Sequence, residues 1–297
     1  MTKHSNISIV VSFLGLWIDS FFSDRIQIFI GFLLIFSFGI LHGANDLLLI
    51  ENITSKKQAI PFTKIVSYYV LVVLLGAFLF YAIPWLALVL FIGISAYHFG
   101  EQEWQHIDKG IPKKLAVLFY FFYGATILFL LFSFHTIEVQ KIIFEITTLT
   151  VPPSLIVLLL KIVIAVLFLL GSYVYWKLKT ARRQLLTEIL YLLLFMIIFK
   201  SSNLIWGFAI YFVLWHSIPS IIDQIRFIHG KYDLQLFISY CKSAILYWGL
   251  SIIGISILFF SIEQEQVFNA LFFSFLASIT FPHALVITQM FSREKGK

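Results

Sequence analysis

Long apolar runs, broken at short intervals by charged residues or proline, dominate the sequence. A helix needs about 20 apolar residues to cross the hydrocarbon core of a bilayer. Taking the polar breaks as loops gives ten candidate spans, at residues 7–22, 26–50, 65–83, 84–100, 115–134, 154–176, 185–200, 204–222, 240–260 and 266–290. The first contains Asp19 and is separated from the second only by Ser23, Asp24 and Arg25. Ile83-Pro84 divides the third from the fourth as a tight turn, because a proline disfavours helical backbone in the residue before it. Residues 136–150 read as a short amphipathic helix on the outer surface, ended by Pro152-Pro153. The pattern predicts an all-α fold: a polytopic transmembrane helix bundle of about ten helices, within a range of eight to ten. No internal repeat and no polar linker interrupts it, so residues 1–297 read as a single integral membrane domain.

Composition strengthens this picture. Hydrophobic residues make up 60% of the 297 positions and charged residues 12%, with mean hydropathy +0.96. Soluble domains carry about 25% charged residues. Half that share cannot coat a water-soluble surface, which excludes a cytosolic enzyme, a nucleic-acid-binding domain and a disordered chain. The net charge of +6 then reads as basic loops facing an anionic inner leaflet. A single cysteine, Cys241, excludes an intramolecular disulfide. Only Lys3 precedes the first apolar run, and no small-residue cleavage site follows, so no removable signal peptide is expected.

The basic residues also orient the chain. Of the 21 Lys and Arg residues, only Arg25, Lys141 and Lys200 fall in or at the edge of one set of alternate loops, and only Lys161 falls deep within a span. The others, among them Lys56, Lys57, Lys109, Arg182, Arg183, Arg226 and Arg293, lie in the opposite loops and the two ends. The positive-inside rule places both termini in the cytoplasm of a multi-pass inner (cytoplasmic) membrane protein.

Ionisable groups within spans are costly and mark functional candidates. His4, His106, His135 and His229 fall in termini or loops and read as solvated. His42, His98, His216 and His283 fall inside the second, fourth, eighth and tenth spans. All four spans run from outside to inside, and each histidine precedes its first cytoplasmic base by 10 to 14 residues. At about 1.5 Å per residue that is roughly 15–21 Å, so the four imidazoles can occupy one layer. Neutral imidazole suits Fe, Zn or Cu, although a single membrane histidine can equally serve as a helix–helix hydrogen bonder. Asp46 follows His42 by one helical turn and Glu101 follows His98 by three residues, so either carboxylate can orient an imidazole from behind or simply mark the membrane boundary. Gly43 and Gly100 permit close backbone approach. Pro219 and Pro282 are positioned to kink their helices, and Asp223 reads as a boundary residue.

The set His42-Gly43-Ala44-Asn45-Asp46, Tyr97-His98-Phe99-Gly100-Glu101, Trp215-His216-Ser217 and Pro282-His283 resembles the Brp/Blh family of bacterial and archaeal membrane β-carotene dioxygenases. The resemblance covers residues 42 to 283. It implies an Fe(II) enzyme with histidine ligands that cleaves β-carotene at its central double bond with O₂. The two retinal molecules formed would pass to a microbial rhodopsin. The metal ligands would be His42, His98, His216 and His283, with Asp46, Glu101 and Ser220 behind them. Ser220 stands where some members carry a functional histidine, one turn after the position of His216. Either His283 completes a set of four, or three histidines leave a position open for O₂.

β-Carotene is an apolar rod about as long as the bilayer is thick, about 30 Å, and can enter sideways between helices. Tyr97, Phe99, Trp215 and Phe281 flank the proposed ligands and are candidates for lining its path, or for packing alone. Other readings use the same residues differently. A transporter would use the histidines, Asp46 and Glu101 as an ion pathway. A b-type haem protein would use two of the histidines and leave two unexplained. A two-metal desaturase needs clustered histidine boxes, which are missing here. A rhodopsin needs a lysine at depth, where only Lys161 is available.

Overall fold

The computed structural model describes residues 3–54, 61–105, 110–261 and 265–295. His106, Lys56, Lys57 and Lys109 lie outside the described residues. All regular structure among those residues is helical: α1 (Lys3–Asp19), α2 (Asp24–Leu34), α3 (Asp46–Ile53), α4 (Phe62–Ala82), α5 (Pro84–Trp104), α6 (Lys113–Phe134), α7 (Thr136–Thr147), α8 (Pro153–Lys177), α9 (Arg182–Ser201), α10 (Leu204–Tyr211), α11 (Ile218–His229), α12 (Leu234–Ser261) and α13 (Glu265–Lys295). Helix is the expected outcome for single segments in lipid, because it satisfies every backbone group internally.

Eight described helices are long and apolar enough to cross a membrane: 62–82, 84–104, 113–134, 153–177, 179–201, 204–229, 234–257 and 271–294. They correspond to the third through tenth expected spans. The chain is therefore an all-α, multi-pass membrane protein, and side chains such as Phe168, Leu169, Ile245 and Leu250 face outward as lipid would require. The first two expected spans differ. The first is a shorter apolar helix, Ser5–Asp19. The second is broken: after α2 the backbone widens into a π-helical turn at Ile35–Gly39, and residues 42–45 form tight turns before α3 begins. The expected amphipathic helix of residues 136–150 is α7, which ends at Thr147.

The chain divides into two compact units. The first comprises residues 1–35, 95–141 and 150–216. Within it, α6 packs against α8 and α9, α2 packs against α10, and α1 packs against α9. The C-terminal half of α5 lies directly on α6. A Cβ on Gly100 would fall 1.8 Å from the Tyr120 carbonyl oxygen, and one on Gly124 would fall 1.9 Å from that of Ala96. Two glycines thus bring the helices into backbone contact, a packing mode suited to lipid, where close van der Waals fit replaces the hydrophobic drive.

The second unit comprises residues 36–94, 142–149 and 217–297. Here α13 packs against α3, α4 and α12, and α11 packs against α3 and α12. Leu49 and Ile53 of α3 form a buried cluster with Val286, Ile287, Met290 and Phe291 of α13. Pro282 lies inside α13, and Pro219 occupies the first turn of α11. Between α11 and α12, half-buried Asp233 accepts a hydrogen bond from the Leu236 N–H at 2.9 Å, and Lys231 lies 3.1 Å from its carboxylate. That backbone donor, and then the lysine, hold the Asp233 carboxyl below the ordinary aspartate range.

Candidate metal centre

The broken helix carries His42. A π-turn and a non-helical segment at membrane depth leave backbone groups that must be satisfied by protein. The Trp248 indole N–H lies 3.1 Å from the carbonyls of Phe36 and Ser37, both in the π-turn. The His42 carbonyl accepts from Gln224 Nε2 at 2.8 Å, with the Tyr240 hydroxyl 3.3 Å away. Tyr240 also donates to Gln224 Oε1 at 2.7 Å, and Gln224 Nε2 reaches Ser220 Oγ at 3.1 Å. Asn45 donates to the Tyr240 carbonyl at 2.9 Å and accepts from the Ser243 hydroxyl at 2.9 Å. The break is therefore a held conformation, tied to α11 and α12. Ser220 belongs to the hydrogen-bonded framework around His42 through Gln224.

Within the second unit His42 and His283 are brought together. Both are buried, their ring centroids lie 4.6 Å apart, and the rings stand edge to face at 90°. One ring nitrogen from each lies within 4.8 Å of the other, close enough for both to reach one ion. His283 Nδ1 donates to Asp46 Oδ1 at 2.8 Å, and the Tyr69 hydroxyl donates to Asp46 Oδ2 at 2.8 Å. His42 Nδ1 is hydrogen-bonded to the Gly39 carbonyl. A proton on Nδ1 of each ring puts the lone pair on Nε2, the form in which histidine binds metals. Asp46 thus stands behind His283, where the one-turn spacing had suggested His42, because the break at residues 42–45 removes the helical register that spacing assumes. Gly43 leaves room for the His283 ring: a Cβ there would lie 3.5 Å from Nδ1.

Within the first unit His98 and His216 are likewise buried and adjacent, with centroids 4.8 Å apart at 83°. His216 sits in a second π-turn, Phe212–Ser217. Its carbonyl accepts from Gln102 Nε2 at 2.9 Å, which satisfies a backbone group near the widened turn. Phe99 lies 4.5 Å from the His216 ring and Phe212 stacks on it at 5.4 Å. Each unit therefore carries one pair of buried imidazoles, and both π-turns lie at or just before a histidine.

The remaining candidates are placed as follows. Glu101 accepts from the Tyr97 hydroxyl at 2.7 Å. Trp215 donates to Ser12 Oγ at 3.0 Å and packs edge-on against Tyr191 and Phe195. Phe281 packs on the cluster of Phe80, Ala87, Ile146 and Ala277. His229 is exposed, as expected of a loop residue. His135 is not solvated. It is buried, with Nδ1 2.9 Å from the Leu131 carbonyl and Nε2 2.8 Å from that of Ser202, so it closes the end of α6 onto the end of α9.

Tyr69, Gln224 and Tyr240 were not anticipated, and neither was Glu188. Glu188 is buried in the first unit and accepts from the Tyr123 hydroxyl at 2.5 Å. The rule that singles out ionisable residues inside apolar runs would have flagged it. No comparable signal marks the tyrosines, because 13 of them are spread along the chain.

Fold and site together define a polytopic membrane protein with two pairs of buried histidines, one pair anchored through Nδ1. A family model described as beta-carotene 15,15'-dioxygenase matches residues 33–291, and the chain belongs to that family. Membership implies β-carotene dioxygenase activity. Comparison with curated proteins and with solved structures finds no match.

Proposed function

We propose that this chain is an iron(II)-dependent enzyme that cleaves β-carotene at its central double bond with O₂, giving two molecules of retinal. Its candidate metal ligands are His42, His98, His216 and His283. The observation that carries the reading is the His42–His283 pair, in which each imidazole is buried and held through Nδ1, one of them by a carboxylate. Neutral imidazoles fit Fe(II), and a carboxylate behind a ligand raises its basicity. Iron, when bound, would supply the activation of O₂.

The protein's own residues orient and exclude. Asp46 and Tyr69 fix the His283 ring; Gln224, Tyr240 and Ser220 fix the backbone that carries His42. Phe99 and Phe212 pack against the His216 ring and hold its plane. Tyr97, Phe99, Trp215 and Phe281 are proposed to line the polyene's path, where correct register over the site is what catalysis requires. The substrate reaches the site from the bilayer, the chain acts as a single integral domain of the inner (cytoplasmic) membrane with both termini cytoplasmic, and retinal is handed to a microbial rhodopsin.

The test is expression in cells that accumulate β-carotene, with retinal measured by chromatography. Retinal at two molecules per carotene consumed is expected. Its absence from folded, iron-loaded protein would overturn the reading.

A further inference from the structure

The first unit contains a small cavity, about 10 Å³, beside His216, whose carboxyl and amide groups have no part in the proposed reaction. Gln102, Glu103, Tyr123, Glu188, Tyr211 and His216 are among its lining residues. The carboxyl groups of Glu103 and Glu188 hydrogen-bond to each other, and Tyr123 donates to Glu188 at 2.5 Å. A hydrogen bond between two carboxyls needs a proton on one of them, so the pair holds one proton between its members. A second observation points to a ligand. Gln102 is 8% exposed and its Nε2 is committed to the His216 carbonyl, yet its Oε1 is buried and has no hydrogen-bond partner among the described residues.

A buried amide oxygen without a donor is costly, and native structures rarely leave one so. The missing partner must donate, so a carbonyl or an anion cannot serve. It must also be small, and a cavity of about 10–15 Å³ holds a single water, which needs two to four polar partners. The donor-seeking Gln102 oxygen, the carboxyl pair and the tyrosine hydroxyls supply such a set.

We infer that this cavity is a binding site for one water molecule, held by Gln102 and the Glu103–Glu188 pair, and that water and pair together form a proton-holding station beside His216. The water gives the shared proton an exchange partner inside an otherwise apolar helix packing. The inference does not depend on iron or on carotene cleavage.

Infrared spectroscopy of the full chain in lipid vesicles tests it, in H₂O and in D₂O. A protonated-carboxyl C=O band is expected that shifts down in D₂O, together with an O–D band of an isolated, non-bulk water. The carboxyl band should be lost in Glu103→Gln and in Glu188→Gln. The water band should be lost in Gln102→Met, which keeps the volume but not the oxygen, and be retained in Gln102→Glu. Circular dichroism of each variant establishes folding. In folded protein, a carboxyl band untouched by both glutamate substitutions, or a water band unchanged in Gln102→Met, would overturn the proposal. Retinal formation is measured separately, so its failure leaves this result standing.

Discussion

Asp46 Oδ1 accepts a hydrogen bond from His283 Nδ1 at 2.8 Å, across 237 positions of sequence, while its other oxygen is held by Tyr69. The carboxylate therefore sets the ring's tautomer and its rotation at once. Asp46→Asn keeps the shape but removes the charge. Loss of such a partner typically lowers metal affinity or activity by about 10–100-fold. Iron titration and retinal formation should both show that loss, and Tyr69→Phe should show a smaller one. Wild-type iron affinity in Asp46→Asn would remove the carboxylate from its positioning role.

Gln224 and Tyr240 hold the His42 carbonyl in a segment of tight turns, where the N–H groups of Gly43, Ala44 and Asp46 bond to carbonyls three residues back and leave the regular α-helical ladder. Gln224→Leu leaves that buried oxygen poorly satisfied, at a cost of about 1–3 kcal/mol. Thermal unfolding in detergent should show the lower stability, and activity should fall because the affected backbone carries His42. Tyr240→Phe, which removes the longer contact and also the donor to Gln224 Oε1, should lower stability in the same direction.

Gly100 is expected to tolerate no side chain. Its Cβ position is filled by the Tyr120 carbonyl oxygen, a backbone atom that cannot move aside cheaply. Gly100→Ala should destabilise by about 1–3 kcal/mol or more as α5 and α6 are forced apart. Denaturation monitored by circular dichroism gives the comparison, with Gly249→Ala as control, since nothing lies within 4 Å of that position.

His135 separates structure from chemistry. It bridges two carbonyls at the ends of α6 and α9 and belongs to neither histidine pair. His135→Ala should lower stability by about 1–3 kcal/mol, while retinal formed per folded molecule stays at the wild-type level. Loss of activity in protein that remains folded would place His135 in the reaction.

Much of the fold was legible because lipid makes apolar length a strong signal: the runs now seen as α4, α5, α6, α8 and α9 could be little else. The second expected span was misread for a physical reason. Residues 26–50 are apolar enough to cross, but the π-turn, Gly39, Gly43 and Asn45 break the helix, and the groups that stabilise the break come from Gln224, Tyr240 and Trp248, nearly 200 positions or more away. The same break decides the partner of Asp46. Sequence spacing can name a neighbour within a helix but not across an interruption, so His283 could be named as a candidate without being recognised as the residue Asp46 holds. His135 was misjudged because its position at a helix end looked like a loop, whereas two carbonyls there needed a donor.

The central proposal is that the buried histidines hold iron. Iron per chain, measured by elemental analysis of purified wild type and of His42→Ala, His283→Ala, His98→Ala and His216→Ala, tests it most directly. The account predicts iron bound to the wild-type chain and lowered in each of these four variants, with His229→Ala unchanged. Iron occupancy at the wild-type level in all four variants would contradict it.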